Sequence, residues 1–454
     1  SYPRSSAANA LGYIGEISSS QLSRDSTRYY VQGDYVGHSG IEAYYEPELR
    51  GKKGVKYKLV NVRGIEKGAF KNGDLDTLSM PGENLQSTID LNLQLYGEHL
   101  MDGKRGSVVA IEPKTGEILT IISAPTYDPN VLTGAKFGES YTVLNNDPEK
   151  PLFNRPIMAT YPPGSIFKIV QSLIGLQEGI LTPNTTFVCN KALVNCHNHP
   201  SPVNLFGAIR NSCNPYYHQA FRQVINREVS SNTYTDTQIG LDKWREAVLK
   251  FGLSNRLGVD MHGEKGGSIP SSALYDKIYG KGRWKYSTIY SLSIGQGEML
   301  VTPLQMANLA AIFANKGYFY TPHLIKAIND DPSRIPDWFK EKRDSGIDPK
   351  HFDLIQDAMV EALSGTATRA IMKDIVIAGK TGTAQNPAGE DHSVFIAFAP
   401  KEDPKIAIAV YVENAGWGGR AAASTASLLI EKYLTGEIKR PELEEYVLKG
   451  DFIY

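Results

Sequence analysis

The chain has 454 residues, 41 % of them hydrophobic and 21 % charged, enough for one large core and a smaller companion segment. Its formal net charge of −1 excludes the broad basic field of a nucleic-acid binder and an acidic field aimed at a cationic partner. Three cysteines make an odd count, and two lie in a histidine-containing cluster, which argues against a disulfide scaffold and for metal ligation or free thiols.

Residues 1–84 are rich in Tyr, Gly and charge. Short alternating runs such as Tyr57-Lys58-Leu59-Val60-Asn61-Val62 predict a small, mostly β or α+β segment with turns. The chain starts at Ser1-Tyr2-Pro3, inside sequence that reads as structured, so an N-terminal part is expected to precede it. It contains no signal peptide and no membrane-spanning run. The longest uncharged helical stretch, residues 299–315, carries Thr, Pro, Gln and Asn and reads as a buried helix. Gly37-His38-Ser39-Gly40 resembles a nucleophile elbow, but Ile41 stands where that motif needs its second glycine, and a glycine turn is expected.

A second unit, residues 85–454, begins with an apolar-periodic helix over Leu91, Leu93, Leu95, Tyr96 and Leu100, capped by Asp90 or a threonine. Residues 107–112 and 118–123 flank Pro113-Lys114-Thr115-Gly116 and predict a hairpin of buried strands. Helices dominate the middle, including residues 303–315. Strands return at 375–378, 393–399 and 406–412, and a final helix is expected over about 421–433. The order strand pair, helices, three strands, helix predicts an α+β fold, an antiparallel sheet with helices on both sides.

Three short strings carry the chemistry. In Ser165-Ile166-Phe167-Lys168, the preceding Pro162-Pro163-Gly164 stops earlier structure and an apolar run follows, so Ser165 opens a buried helix with Lys168 on the same face. A serine hydroxyl needs an adjacent base, and burial lowers a lysine pKa enough to supply one. Ser212-Cys213-Asn214 reads as a loop between helices, offering a hydroxyl to relay a proton and an amide to hold a substrate amide. Lys380-Thr381-Gly382-Thr383 continues a strand. Its glycines let a substrate backbone approach, while the lysine and threonines suit a carboxylate. Each string alone also reads as a helix cap, an Asx turn or a strand end.

In this order the three form the known trio of serine penicillin-binding enzymes. The chain resembles a class B penicillin-binding protein over almost its whole length. Tyr161-Pro162-Pro163-Gly164-Ser165, Ser291-Leu292-Ser293-Ile294-Gly295-Gln296-Gly297 and Ala378-Gly379-Lys380-Thr381-Gly382-Thr383-Ala384 are similar to the domain's characteristic segments. Tyr35-Val36-Gly37-His38-Ser39-Gly40-Ile41-Glu42 and Tyr127-Asp128-Pro129-Asn130 resemble the elongation-type branch, penicillin-binding protein 2. Gly12-Tyr13-Ile14-Gly15-Glu16-Ile17 resembles part of that branch's N-terminal pedestal.

The resemblance implies a penicillin-binding/β-lactamase-like transpeptidase domain at 85–454 and a partial pedestal at 1–84. It implies a peptidoglycan D,D-transpeptidase that β-lactams acylate, needing no cofactor for chemistry. Ser165 would be the nucleophile, Lys168 the base, Ser212 the proton shuttle and Asn214 the positioning amide. Lys380 with Thr381, Gly382 and Thr383 would bind the substrate carboxylate, and the Ser165 and Thr383 N–H groups would form the oxyanion hole. The expected setting is the periplasmic face of a bacterial cytoplasmic membrane, with D-Ala-D-Ala stem peptides as substrate, a SEDS-type membrane glycosyltransferase as partner and no nucleic acid. A D,D-carboxypeptidase or β-lactamase, and a β-lactam sensor or non-catalytic activating partner, are the alternatives.

Cys189, Cys196, His197 and His199 lie between the first two motifs, with Cys213 inside the second. Thiolates with imidazoles suit a tetrahedral structural zinc. The expected ligands are Cys189, Cys196 and His199 with His197 or Cys213 as the fourth; a disulfide, a buried Cys pair and polar loop histidines are the other readings. Elongation-type members resemble this chain in carrying ligand-type residues here. Gly416-Trp417-Gly418-Gly419-Arg420 lacks the G-K-[ST] of a phosphate loop and predicts a strand-to-helix turn.

Overall fold

Five strands form the main sheet: β1 Gly106–Ile111, β2 Ile118–Ala124, β4 His392–Ala399 and β5 Ile406–Val412, rich in Val, Ile, Ala and Phe, and β3 Ala378–Ala384, built of Gly, Thr, Ala and Lys. They make one antiparallel sheet in the order β3-β4-β5-β1-β2. The computed structural model describes residues 2–386 and 389–453; Ser1 and Tyr454, the outer ends of the two expected units, lie outside them.

The sheet is buried on both faces, so β1, β2 and β5 read as nearly continuous apolar runs. The two-residue period still sorts the side chains. Val109, Ile111, Ile396 and Phe398 enter the core on one face, and Val108, Ala110, Phe395 and Ala397 enter the core on the other. The β1–β2 turn ends on Gly116 at φ 82°, a backbone that glycine adopts without strain.

The principal helices are α1 Leu91–Leu100, α2 Lys168–Gln177, α3 Asn214–Ile225, α4 Thr233–Leu249, α5 Pro303–Ala314, α6 Lys350–Thr366, α7 Ala422–Thr435 and α8 Pro441–Lys449, of which α1, α5, α6 and α7 pack on the sheet. Asp90 caps α1, its Oδ1 accepting from the Leu93 N–H at 3.0 Å. Helix α5 is buried along its whole length, which explains its lack of charge, and a Thr302–Gln305 capping box closes its first turn. Among the described residues, no helix is long and apolar enough to cross a membrane.

Two expectations need correction. Residues 375–377 are not strand; β3 begins at Ala378, opposite Phe398. The partner strand ends at Ala399 and Pro400 follows, which has no N–H to extend the ladder. The last helix is α8 rather than α7. It is short, nine residues, and Val447 is its buried residue, with Leu443 and Tyr446 half-buried against the core.

The N-terminal segment pairs Ile14–Glu16 with Tyr35–Gly37 and Lys58–Val60 with Glu66–Ala69. No described residue between Tyr45 and Thr88 is buried, so this arm has no core of its own. It is tied down at its root. Ala7, Ala10, Ile41 and Tyr45 join the main core, and the Tyr45 hydroxyl donates to buried Asp260 Oδ2 at 2.9 Å. Asp260 also accepts from the Leu324 and Ile325 N–H groups at 2.7 and 3.0 Å.

Candidate active site

Ser165 lies in a 3₁₀ turn, Gly164–Phe167, that runs directly into α2. The turn is held by glycines. The Gly164 N–H donates to the Gly295 carbonyl at 2.9 Å, and a Cβ on Gly295 would lie 2.2 Å from the Gly164 oxygen. This close approach accounts for the glycine in Ser291-Leu292-Ser293-Ile294-Gly295. On the strand side, a Cβ on Gly382 would meet Ile166 Cγ2 and the Pro163 oxygen, each at 3.1 Å, so the serine turn packs onto the Lys380-Thr381-Gly382-Thr383 strand. That string is therefore β3 itself, at the open edge of the sheet.

Lys168 is fully buried as the first residue of α2. Its Nζ donates to the Ser212 carbonyl at 2.7 Å, the Ser212 Oγ at 3.0 Å and the Asn214 Oδ1 at 2.5 Å. Lys380, also fully buried, donates to the same Ser212 Oγ at 3.1 Å. Burial pushes the Lys168 ammonium down to about 7, against the pull of the Cys196 and Cys213 thiols. Burial and the Lys168 charge hold Lys380 well below the usual lysine range. Lys168 and Ser165 share no hydrogen bond among the described residues; the amine is aimed at the relay serine.

Ser212 adopts φ 51°, the left-handed region that serine rarely enters. The geometry follows from its place between the helix Leu205–Arg210 and α3, and it lets carbonyl and hydroxyl both reach Lys168. Asn214 is the first residue of α3 and not a loop residue. Its Nδ2 donates to the Asn195 carbonyl at 2.7 Å, fixing Oδ1 toward Lys168. Asn195 acts through its main chain, so no side-chain pattern could have marked it.

These groups open on a groove of about 510 Å³ whose lining includes Ser165, Ser212, Asn214, Thr381, Gly382 and Thr383. His197, Gln385, Asp391 and Trp417 line it too. Trp417 is 69 % exposed on the expected strand-to-helix turn, although a tryptophan in sequence reads as core.

The donor atoms of Cys189, Cys196, His199 and Cys213 lie within 4.8 Å of one another. His197 is outside this set. The His199 Nδ1 faces the Pro200 carbonyl at 2.7 Å, which leaves Nε2, 3.5 Å from the Cys196 sulfur, to serve as a ligand. The thiols oppose one another. The hydrogen bond between Cys196 and Cys213 lowers the first and raises the second. Three sulfurs and one imidazole nitrogen fit a closed tetrahedral zinc site.

Residues 106–431 match the penicillin binding protein transpeptidase domain, and residues 1–87 match the penicillin-binding protein dimerisation domain. The chain is 30 % identical to the peptidoglycan D,D-transpeptidase MrdA of Haemophilus influenzae, over 97 % of this chain and 69 % of that protein. Penicillin-binding protein 2 of Pseudomonas aeruginosa, solved in complex with WCK 5153, superimposes with a TM-score of 0.77 at 30 % identity, covering 96 % of this chain and 90 % of that one. A chain from a peptidoglycan synthase complex that coordinates polymerization and crosslinking superimposes with a TM-score of 0.78 at 27 % identity, covering 97 % and 77 %.

Proposed function

The chain belongs to the penicillin-binding protein transpeptidase family, in the branch of MrdA and penicillin-binding protein 2, and from that premise we propose that it cross-links peptidoglycan stem peptides during cell elongation as a serine D,D-transpeptidase. The observation that carries the reading is the convergence of Lys168 and Lys380 on Ser212 beside Ser165.

In the proposed mechanism, neutral Lys168 takes the Ser165 proton and the oxygen attacks the carbonyl of the penultimate D-alanine. The N–H groups of Ser165 and Thr383 hold the resulting oxyanion. The proton passes through the Ser212 hydroxyl to the leaving amine, the C–N bond breaks and D-alanine departs. Lys380, Thr381 and Thr383, with Gly382 leaving room for the peptide, bind the carboxylate. An amine from a second stem then attacks the ester, its proton returns through Lys168, and Ser165 is released. Substrate must first draw Ser165 and Lys168 together, since catalytic hydrogen bonds tighten with the reactant in place.

Residues 1–84 act as a pedestal and 85–454 as the catalytic unit. Cys189, Cys196, His199 and Cys213 would hold a zinc ion that cross-links the loop and takes no part in acyl transfer. The setting is the periplasmic face of the cytoplasmic membrane, beside a SEDS-type glycosyltransferase; the likeness to a peptidoglycan synthase complex supports such a partner. A fluorescent penicillin tests the reading. Stable labelling of wild type, lost in Ser165→Ala, is expected, followed by cross-linking of lipid-linked glycan. Rapid release of the label would favour a β-lactamase, and labelling without cross-linking a sensor.

A further inference from the structure

Beyond Thr383 the groove holds side chains that the acyl transfer leaves unused. Trp417 and Asp391 stand there together, on segments joined by the Gly416 N–H donating to the Asp391 carbonyl at 2.8 Å. The backbone under the indole is fixed. The Ser393 hydroxyl donates to the Trp417 carbonyl at 3.2 Å, and a Cβ on Gly418 would lie 2.3 Å from the Gly382 oxygen. The indole itself is 69 % exposed, and among the described residues no aromatic ring packs on it. The Asp391 Oδ1 accepts from the Asn386 N–H at 3.2 Å, and among the described residues no cation pairs with the carboxylate.

The direction of the bound peptide decides what reaches this end. An extended peptide adds to the open edge of β3 with alternate side chains on opposite faces. Its carboxylate lies toward Lys380 and Thr381, so its amino-terminal portion runs past Thr383 toward Gln385, Asp391 and Trp417. Donor and acceptor stems are copies of one peptide, and the acceptor contributes an amine. The donor therefore brings an equivalent amine into the groove.

Building on the transpeptidase reading, we infer that Trp417 and Asp391 bind the side chain of the stem residue preceding D-Ala-D-Ala and select an alkyl chain that ends in an ammonium group. The indole face supports the methylenes and the carboxylate receives the charged end.

Three penicillins test this on the intact chain: one with an aminoalkyl side chain, its N-acetyl derivative, and a reference with a bare acetamido side chain. The readout is the rate of Ser165 acylation by mass spectrometry, each rate divided by that of the reference on the same variant. Wild type should react about tenfold faster with the amine than with its acetylated form. The preference should vanish in Asp391→Asn. Trp417→Ala should slow both long-chain compounds about fivefold relative to the reference, and Trp417→Phe should recover most of that loss. Equal wild-type rates, or a preference that survives Asp391→Asn, would overturn the subsite while leaving the transpeptidase reading intact. No labelling by any of the three would overturn that reading and the subsite with it.

Discussion

Lys168 and Lys380 donate to one shared acceptor, the Ser212 hydroxyl, at 3.0 and 3.1 Å. Two ammonium groups this close and this deeply buried repel each other, so the arrangement favours at least one neutral amine at physiological pH. Catalysis requires that state.

The pH dependence follows. With the Lys168 ammonium held at about 7, the amine is protonated below that pH and free above it. The rate of Ser165 acylation by a penicillin should rise about tenfold per pH unit well below 7, reach half its maximum near 7 and level off above. A rate that is flat between pH 6 and 8 would remove Lys168 from the role of base.

Ser212 separates hydroxyl chemistry from backbone strain. Ser212→Ala and Ser212→Gly both delete the relay, and each should slow acylation about 100-fold or more. Only glycine relaxes the φ of 51°, so Ser212→Gly should be about 1 kcal/mol more stable than Ser212→Ala in denaturant melts. Equal midpoints would mean that the left-handed turn is not strained.

Gly418 should be intolerant of any side chain. A Cβ there would lie 2.3 Å from the Gly382 oxygen and 2.5 Å from that of Val394, both backbone atoms that cannot swing aside. Gly418→Ala should displace β3, slow acylation at least about tenfold and cost about 1–3 kcal/mol. Gly138→Ala, in a helix where an added Cβ meets nothing within 4 Å, is the control and should be neutral or slightly stabilising.

Metal analysis of purified protein should find about one zinc per chain, and a chelator should lower the unfolding midpoint. Acylation should slow as well, because the loop that carries Cys196 also presents the Asn195 carbonyl to Asn214. Cys213→Ser should reproduce both losses. Metal-free protein of unchanged stability would reduce the cluster to packed thiols.

Much of the site was legible because its parts are local strings. Ser165 to Lys168 spans one turn, and Lys380 to Thr383 occupies one strand. The hairpin of β1 and β2 and the Asp90 cap were equally local. What stayed hidden depends on the fold. Ile375-Val376-Ile377 has the composition of a strand, but Pro400 breaks the ladder opposite it and, among the described residues, the Lys401 N–H alone reaches back, to the Val376 carbonyl at 2.9 Å. That Cys213 rather than His197 joins the cluster of Cys189, Cys196 and His199 turns on how the chain after the helix Leu205–Arg210 brings Cys213 back to Cys196. Asn195 contributes a carbonyl, which every residue has.

Written as a motif, S-x-N leaves its middle letter free. In this chain the letter is Cys213, wholly buried, its sulfur gathered with three partners from a segment 14 to 24 positions earlier. Its neighbours on either side touch Lys168. Under the proposed zinc ligation the apparently open position is tied to Cys189, Cys196 and His199, and exchanging Cys213 alone should cost the site its metal while Ser212 and Asn214 stand unchanged.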